Sequence, residues 1–251
     1  MTNHQQQATG WHNGPLASFD TETTGTNPNE ARIVTAACWL ITPGHDKKHR
    51  EWLVNPGVEI PAEATQVHGI TTEQARKQGQ PAAAAVAEIA SAVLYAYRNQ
   101  IPVIVYNARY DITLIHRELV RHGHADLARA WEEFAARGPI VDPFILDKQI
   151  DRYRKGSRKL IDVAAHYGVA LAEEDAHGSA ADALAAARVA WVIANRNPKL
   201  AALGPVELHE TQVKAAAEQA HSFADYLRKQ GKPVDDVHLE WPLIPTRKEE
   251  T

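Results

Sequence analysis

Apolar positions recur along this chain with two periods. Near the N-terminus they form short, β-leaning runs. Leu16 to Asp20 reads as a first strand, and Ile33 to Thr42 as a second, too continuously apolar to be half exposed. Glu51 to Val54 reads as a third. The links are brief: a turn at Asn27-Pro28-Asn29-Glu30, then Pro43-Gly44 and a polar stretch, His45 to Arg50. Short links between three strands predict an antiparallel meander. After Asn55-Pro56-Gly57 comes a loop region, Ile60 to Thr71, with a short helix inside it; Thr71 or Thr72 can cap a turn through Gln74.

The period then lengthens to that of a helix. From Pro81 to Asn99, residues Val86, Ile89, Ala90, Val93, Leu94 and Tyr97 form one stripe. A short buried strand, Val103 to Tyr106, is followed by helices over Asp111–Arg121 and Ala125–Ala136. Pro139 to Ile145 holds a short apolar strand; Leu160–Tyr167 and Ala180–Asn195 are helices. Strands first, then strands mixed with helices, predict an α/β sheet in which a meander gains parallel strands.

Past residue 200 one long helix, Leu208 to Lys229, carries Val213, Ala216, Ala217, Ala220, Phe223, Ala224 and Leu227 on one face. This gives three parts: a disordered tail (1–13), a catalytic-sized domain (14–199) and a helical extension with an irregular end (200–251). The stripe suits either packing on the chain's own domain or docking of a partner.

Composition narrows the classes. The net charge of −4 over 251 residues argues against a protein that coats duplex DNA, but not against an enzyme that grips a few terminal nucleotides. The lone Cys38 excludes an internal disulfide. The polar start lacks the apolar core of a leader, and no run approaches a membrane span. The expectation is a soluble cytoplasmic protein.

Three acidic stretches carry the candidate chemistry. In Phe19-Asp20-Thr21-Glu22-Thr23-Thr24-Gly25, strand alternation puts Asp20 and Glu22 on one face. Two adjacent acids repel and are costly to bury ionised, and a divalent cation resolves that cost; oxygen ligands suit Mg²⁺ or Mn²⁺. A solvated strand edge is the plainer reading of this stretch alone. In Tyr106-Asn107-Ala108-Arg109-Tyr110-Asp111, the aspartate opens a helix, where the dipole favours it. In His177-Gly178-Ser179-Ala180-Ala181-Asp182, an acid enters an Ala-rich helix and needs a partner. The basic run 152–159 suits either a nucleic-acid backbone or a solvated loop. His116, His122 and His124 lack the thiols or clean pairing of a zinc site.

The three acidic motifs, in this order and at these intervals, resemble the DEDDh 3′–5′ exonucleases, the DnaQ-like group that contains the proofreading ε subunit of bacterial DNA polymerase III. The resemblance spans about residues 15–195 and includes Asn55-Pro56-Gly57 and Val67-His68-Gly69-Ile70-Thr71. It implies a ribonuclease-H-like fold with a central five-stranded mixed sheet. It also implies a two-metal-ion hydrolysis of DNA 3′ ends, in proofreading or repair, that releases nucleoside 5′-monophosphates. By the resemblance, Asp20, Glu22, Asp111 and Asp182 hold two Mg²⁺ or Mn²⁺ ions, and His177, five residues before Asp182, is the general base. Thr23, Thr24, Gly25, His68, Asn107 and Tyr110 fall where the family meets the terminal nucleotide. Tyr106 replaces a histidine, and Thr35 a glutamate, that the family often carries. RNA trimming by the same residues, or a role as a polymerase-associated subunit through the C-terminal extension, remain open at this point.

Overall fold

A computed structural model describes residues 10–172 and 178–246. In chain order the elements are β1 (Leu16–Thr23), β2 (Ile33–Ile41), β3 (Lys48–Asn55), α1 (Ala62–His68), α2 (Thr72–Gln78), β4 (Gln80–Pro81) and α3 (Ala82–Arg98). There follow β5 (Val103–Ile104), α4 (Ala108–Arg121), α5 (Ala125–Arg137), β6 (Ile140–Val141), α6 (Pro143–Ile150) and α7 (Leu160–Tyr167). The chain ends in α8 (Ser179–Arg196), α9 (Pro198–Ala201) and α10 (Pro205–Lys229), then an irregular segment.

The predicted meander forms: β1 pairs antiparallel with β2, and β2 with β3. β5 adds to β1 in parallel and β6 to β5. The order is β4-β3-β2-β1-β5-β6, so among the described residues the sheet has six strands rather than five. The sixth is the two-residue β4, which pairs with β3 where Gln80-Pro81 runs into α3. β1 is the central strand of the mixed sheet, and its two faces differ. Ala17 and Phe19 point into a core built with Ile89, Val93, Trp131 and Phe134. Leu16 points into a second core under α7 and α8, with Val163, Val189 and Ile193. Full burial of such a side chain contributes about 1.5–3 kcal/mol relative to exposure.

Several expectations are corrected. The segment Pro139–Ile145 is not one strand: Ile140–Val141 pairs with β5, and the chain then turns into α6. Asp142 causes the switch. Its side chain caps Phe144 N–H, and Pro143 occupies the first helical turn, where a missing N–H costs nothing. Residues 10–13 are not disordered tail. Trp11–Asn13 form a turn of 3₁₀ helix, Trp11 is buried, and its indole donates to Leu200 O at 3.0 Å. Residues 1–9 lie outside the described residues. On α10, Ala216, Ala220 and Ala224 are buried as expected, but Val213 and Phe223 are exposed; Leu208, His209, Gln212 and Ala215 complete the covered face, which packs against α6 and β6.

Among the described residues, no helix is long and apolar enough to cross a membrane.

Candidate active site

The acidic face of β1 is roofed by α8. Ser18, two residues before Asp20 and on the same face, donates to Ala183 O at 2.5 Å. From β2, Trp39 Nε1 donates to Ala180 O at 2.7 Å, and Thr35 Oγ1 donates to Ser179 Oγ at 3.2 Å. These three bonds seat the first turns of an Ala-rich, strongly helix-forming segment directly over the strand. Asp182, in the first turn of α8, is thereby carried to the acids of β1. Carboxylate oxygens of Asp20, Glu22 and Asp182 lie within 4.8 Å of one another, each side chain partly buried.

Asp111 adjoins the group from the other side. The turn from β5 into α4 passes through Asn107, whose φ of +56° is a left-handed conformation that asparagine tolerates. Asp111 then falls in the first turn of α4, is buried, and accepts Thr21 Oγ1–H at 2.6 Å. Thr21 belongs to the face of β1 opposite Asp20 and Glu22, so β1 orients three acids: two directly and one through its alternate face.

The electrostatics follow from this crowding. Asp20 is raised well above the ordinary carboxylate range, first by burial and then by the charges of Asp111, Glu22 and Asp182. Glu22 is pushed up to about 8 by burial, then by Asp182 and Asp111. Asp111 is pushed up to about 7 by burial, against the Thr21 hydrogen bond, which favours its ionised form. Hard oxygen donors that repel one another at this spacing fit a divalent cation such as Mg²⁺ or Mn²⁺.

The turn closing β1 is built by the predicted nucleotide-side residues. The register of β1 on β2 shifts between Glu22 and Thr23, a bulge of the kind found beside active sites. Thr23 Oγ1 lies 2.8 Å from Gly25 O and 2.6 Å from the Tyr110 hydroxyl, which also reaches Gly25 O, so the two hydroxyl protons are shared among these three contacts. Thr24 Oγ1 accepts Arg32 N–H at 2.9 Å. A Cβ placed on Gly25 would meet no protein atom within 4 Å, so the surface above it is open. His68 closes α1; its Nδ1 accepts Ile70 N–H at 3.1 Å, which leaves the proton on Nε2. Burial lowers its pKa, so it is a neutral ring at physiological pH. A cleft of about 720 Å³ runs between His68 and the start of α8, lined by Thr35, Leu53, Val67 and Ser179. His177 lies outside the described residues.

Sequence reading missed Asp142. This buried carboxylate accepts Asn107 N–H on Oδ1 and Ala108 N–H on Oδ2, both at 2.9 Å, and so fixes the start of α4. The signal was present: aspartate followed by proline is a helix start. The basic run divides. Arg154 and Arg158 turn inward to the buried Asp147, while Arg152, Lys155 and Lys159 are exposed.

Residues 18–190 match the RNase_T family model, described as an exonuclease. The chain belongs to this DnaQ-like exonuclease family. Over 182 residues it is 31% identical to the uncharacterized exonuclease CP81 of Escherichia phage 186, a match covering 70% of this chain and 87% of the phage protein. Over 174 residues it is 29% identical to the DNA polymerase III subunit epsilon-like protein of Rhodobacter capsulatus, covering 67% of this chain but 22% of that relative. Among solved structures, E. coli exonuclease I in complex with a dT13 oligonucleotide superposes with a TM-score of 0.61 at 21% identity, over 74% of this chain and 42% of that one. The moderately thermophilic exonuclease I of Methylocaldum szegediense gives 0.56 at 20% identity, over 85% and 46%. The chain thus spans less than half of the exonuclease I chains, and at these identities the likeness is one of fold.

Proposed function

We propose that this exonuclease is a metal-dependent 3′–5′ enzyme of the histidine subgroup that removes nucleoside 5′-monophosphates from DNA ends. The observation that carries the reading is the convergence of Asp20, Glu22 and Asp182 within 4.8 Å, with Asp111 alongside. Asp20, Glu22, Asp111 and Asp182 would hold two divalent cations, which when bound supply positive charge at the scissile phosphate and a more acidic water. Thr21 keeps Asp111 aimed at the site. His177, five residues before Asp182 in the sequence, takes the proton of the attacking water, for which it must be neutral; an unperturbed imidazole, with a pKa of about 6.5, suits that task. The rate therefore rises with pH through the neutral range, and a flat profile with chemistry limiting would remove His177 from that role.

The Thr23–Gly25 turn, braced by Tyr110, offers backbone groups and open space to the terminal nucleotide. Single-stranded or frayed DNA is favoured as substrate because the exonuclease I neighbour was solved with dT13. A role in proofreading, with a polymerase as partner, is supported by likeness to the epsilon-like relative.

The test is a 5′-labelled DNA primer with a 3′ mispair, incubated with Mg²⁺ or Mn²⁺ beside EDTA and Asp20→Ala controls. A ladder that shortens from the 3′ end, absent in both controls, supports the proposal. Cleavage of a matched RNA but not of DNA moves the substrate to RNA. Cleavage of neither polymer overturns it.

A further inference from the structure

The family match ends at residue 190, yet two later side chains meet at Asp142. From α10, Gln212 is fully buried; its Oε1 accepts Asp142 N–H at 2.7 Å, and its Nε2 donates to Ile140 O at 2.9 Å. From the C-terminal segment, Trp241 is buried against the His209 ring and its indole donates to Asp142 Oδ2 at 3.3 Å. The same carboxylate secures the first two amides of the Asn107–Ala108 turn.

The segment around Trp241 also runs along one face of α4. Arg109 Nε donates to Glu240 O at 2.8 Å, Thr113 Oγ1 accepts Ile244 N–H at 3.0 Å, and Arg117 Nη2 donates to Ile244 O at 2.7 Å. Arg109, Thr113 and Arg117 are spaced by four, so they share a stripe of the helix. Thr113 and Asp142 are essentially fully buried, where an unsatisfied partner is costly. A strap from beyond the matched region therefore grips the helix that carries Asp111, at its start and along its side.

We propose that Trp241, with the Glu240–Ile244 strap, is a positioning residue for the carboxylate site: it holds Asp111 in register by securing Asp142 and α4. The proposal deepens the exonuclease reading and rests on it for the role of Asp111. Trp241 acts through Asp142, whose carboxylate its indole reaches, and not as a catalytic group. Its effect passes through the placement of a helix, where errors of about an ångström can cost up to a hundredfold in rate.

Trp241→Phe in the full chain tests this, because it removes the donor and keeps a ring. We expect kcat to fall roughly tenfold with KM within about twofold, and amide exchange over residues 108–114 to quicken. The decisive arm is a double mutant: in an Asp111→Asn background, Trp241→Phe has no further effect on kcat or on the rise in Tm that Mn²⁺ produces. Thr113→Val, which removes only the acceptor for Ile244 N–H, repeats the exchange result in milder form. Equal losses in both backgrounds, or unchanged exchange over 108–114, overturn the proposal. If the wild-type chain cleaves no oligonucleotide, the exonuclease reading fails, and the exchange and Mn²⁺ arms still decide the role of the strap.

Discussion

Two groups of acid, one on α6 and one on β1 and α8, have opposite kinds of neighbour. Asp147 on α6 is fully buried and answered from within the chain: Arg154 Nη2 lies 2.6 Å from Oδ2, Arg158 reaches the same oxygen, and the Tyr167 hydroxyl donates to Oδ1 at 3.0 Å. Asp142 is likewise answered, by amide N–H groups and an indole. Asp20, Glu22 and Asp182 instead have one another as neighbours, with Asp111 behind. Asp147 already has two arginines, whereas the acids gathered around Asp20 form a donor set that fits a divalent cation. This contrast is the one expected between a structural acid and the proposed catalytic ones.

The largest effects should come from exchanging charges in the two groups. Asp20→Asn should abolish measurable cleavage, a loss of roughly a thousandfold or more if several kcal/mol of charge stabilisation disappears. Above about pH 8, where the neighbouring Glu22 is ionised, the same change should raise the Tm of the metal-free protein, since it relieves repulsion. Asp147→Asn should do the reverse: it leaves two arginines without their counter-charge and costs about 3–5 kcal/mol of stability, read by urea titration. If Asp20→Asn destabilises the metal-free protein as much as Asp147→Asn does, the contrast fails.

A pH series sharpens the comparison. Glu22 moves from an ordinary 4.5 to about 8 on folding, so between those values the folded chain keeps a proton that the unfolded chain releases. Stability of the metal-free protein therefore falls as pH rises through that window, and the loss is complete above about 8. Mn²⁺ favours the ionised carboxylates, so the Tm increase it produces should be larger at pH 8 than at pH 5. Equal increases at both would mean that the cation binds elsewhere.

Smaller effects belong to the groups that hold the acids. Ser18→Ala removes the bond to Ala183 O and should cost about 1 kcal/mol, with a drop in Mn²⁺ affinity as α8 loosens over β1. Tyr110→Phe removes the brace of the Thr23–Gly25 turn and should raise KM a few-fold with a stability change of about 1 kcal/mol or less. A change in kcat alone would place Tyr110 nearer the reacting atoms than the turn.

The acid pair of β1, the meander, the long helices and the order of the three motifs were readable from the residues, because each rests on local patterns. Strand alternation fixes which way Asp20 and Glu22 point, a 3.6-residue stripe marks α3, and short polar links dictate antiparallel pairing. Asp142 falls within the stretch expected to be one strand, and Arg154 and Arg158 of the basic run turn inward to Asp147. What such residues do depends on partners that are distant in the chain: Trp241 reaches Asp142 across 99 positions, and Thr21 reaches Asp111 across 90. Burial turns those chance separations into obligatory pairs, because a polar group removed from water must be satisfied by whatever the fold brings to it. The sequence alone thus determined which acids are candidates for holding a cation. Packing of α8 onto β1 and of the C-terminal strap onto α4 decided which acids meet, and which are already answered.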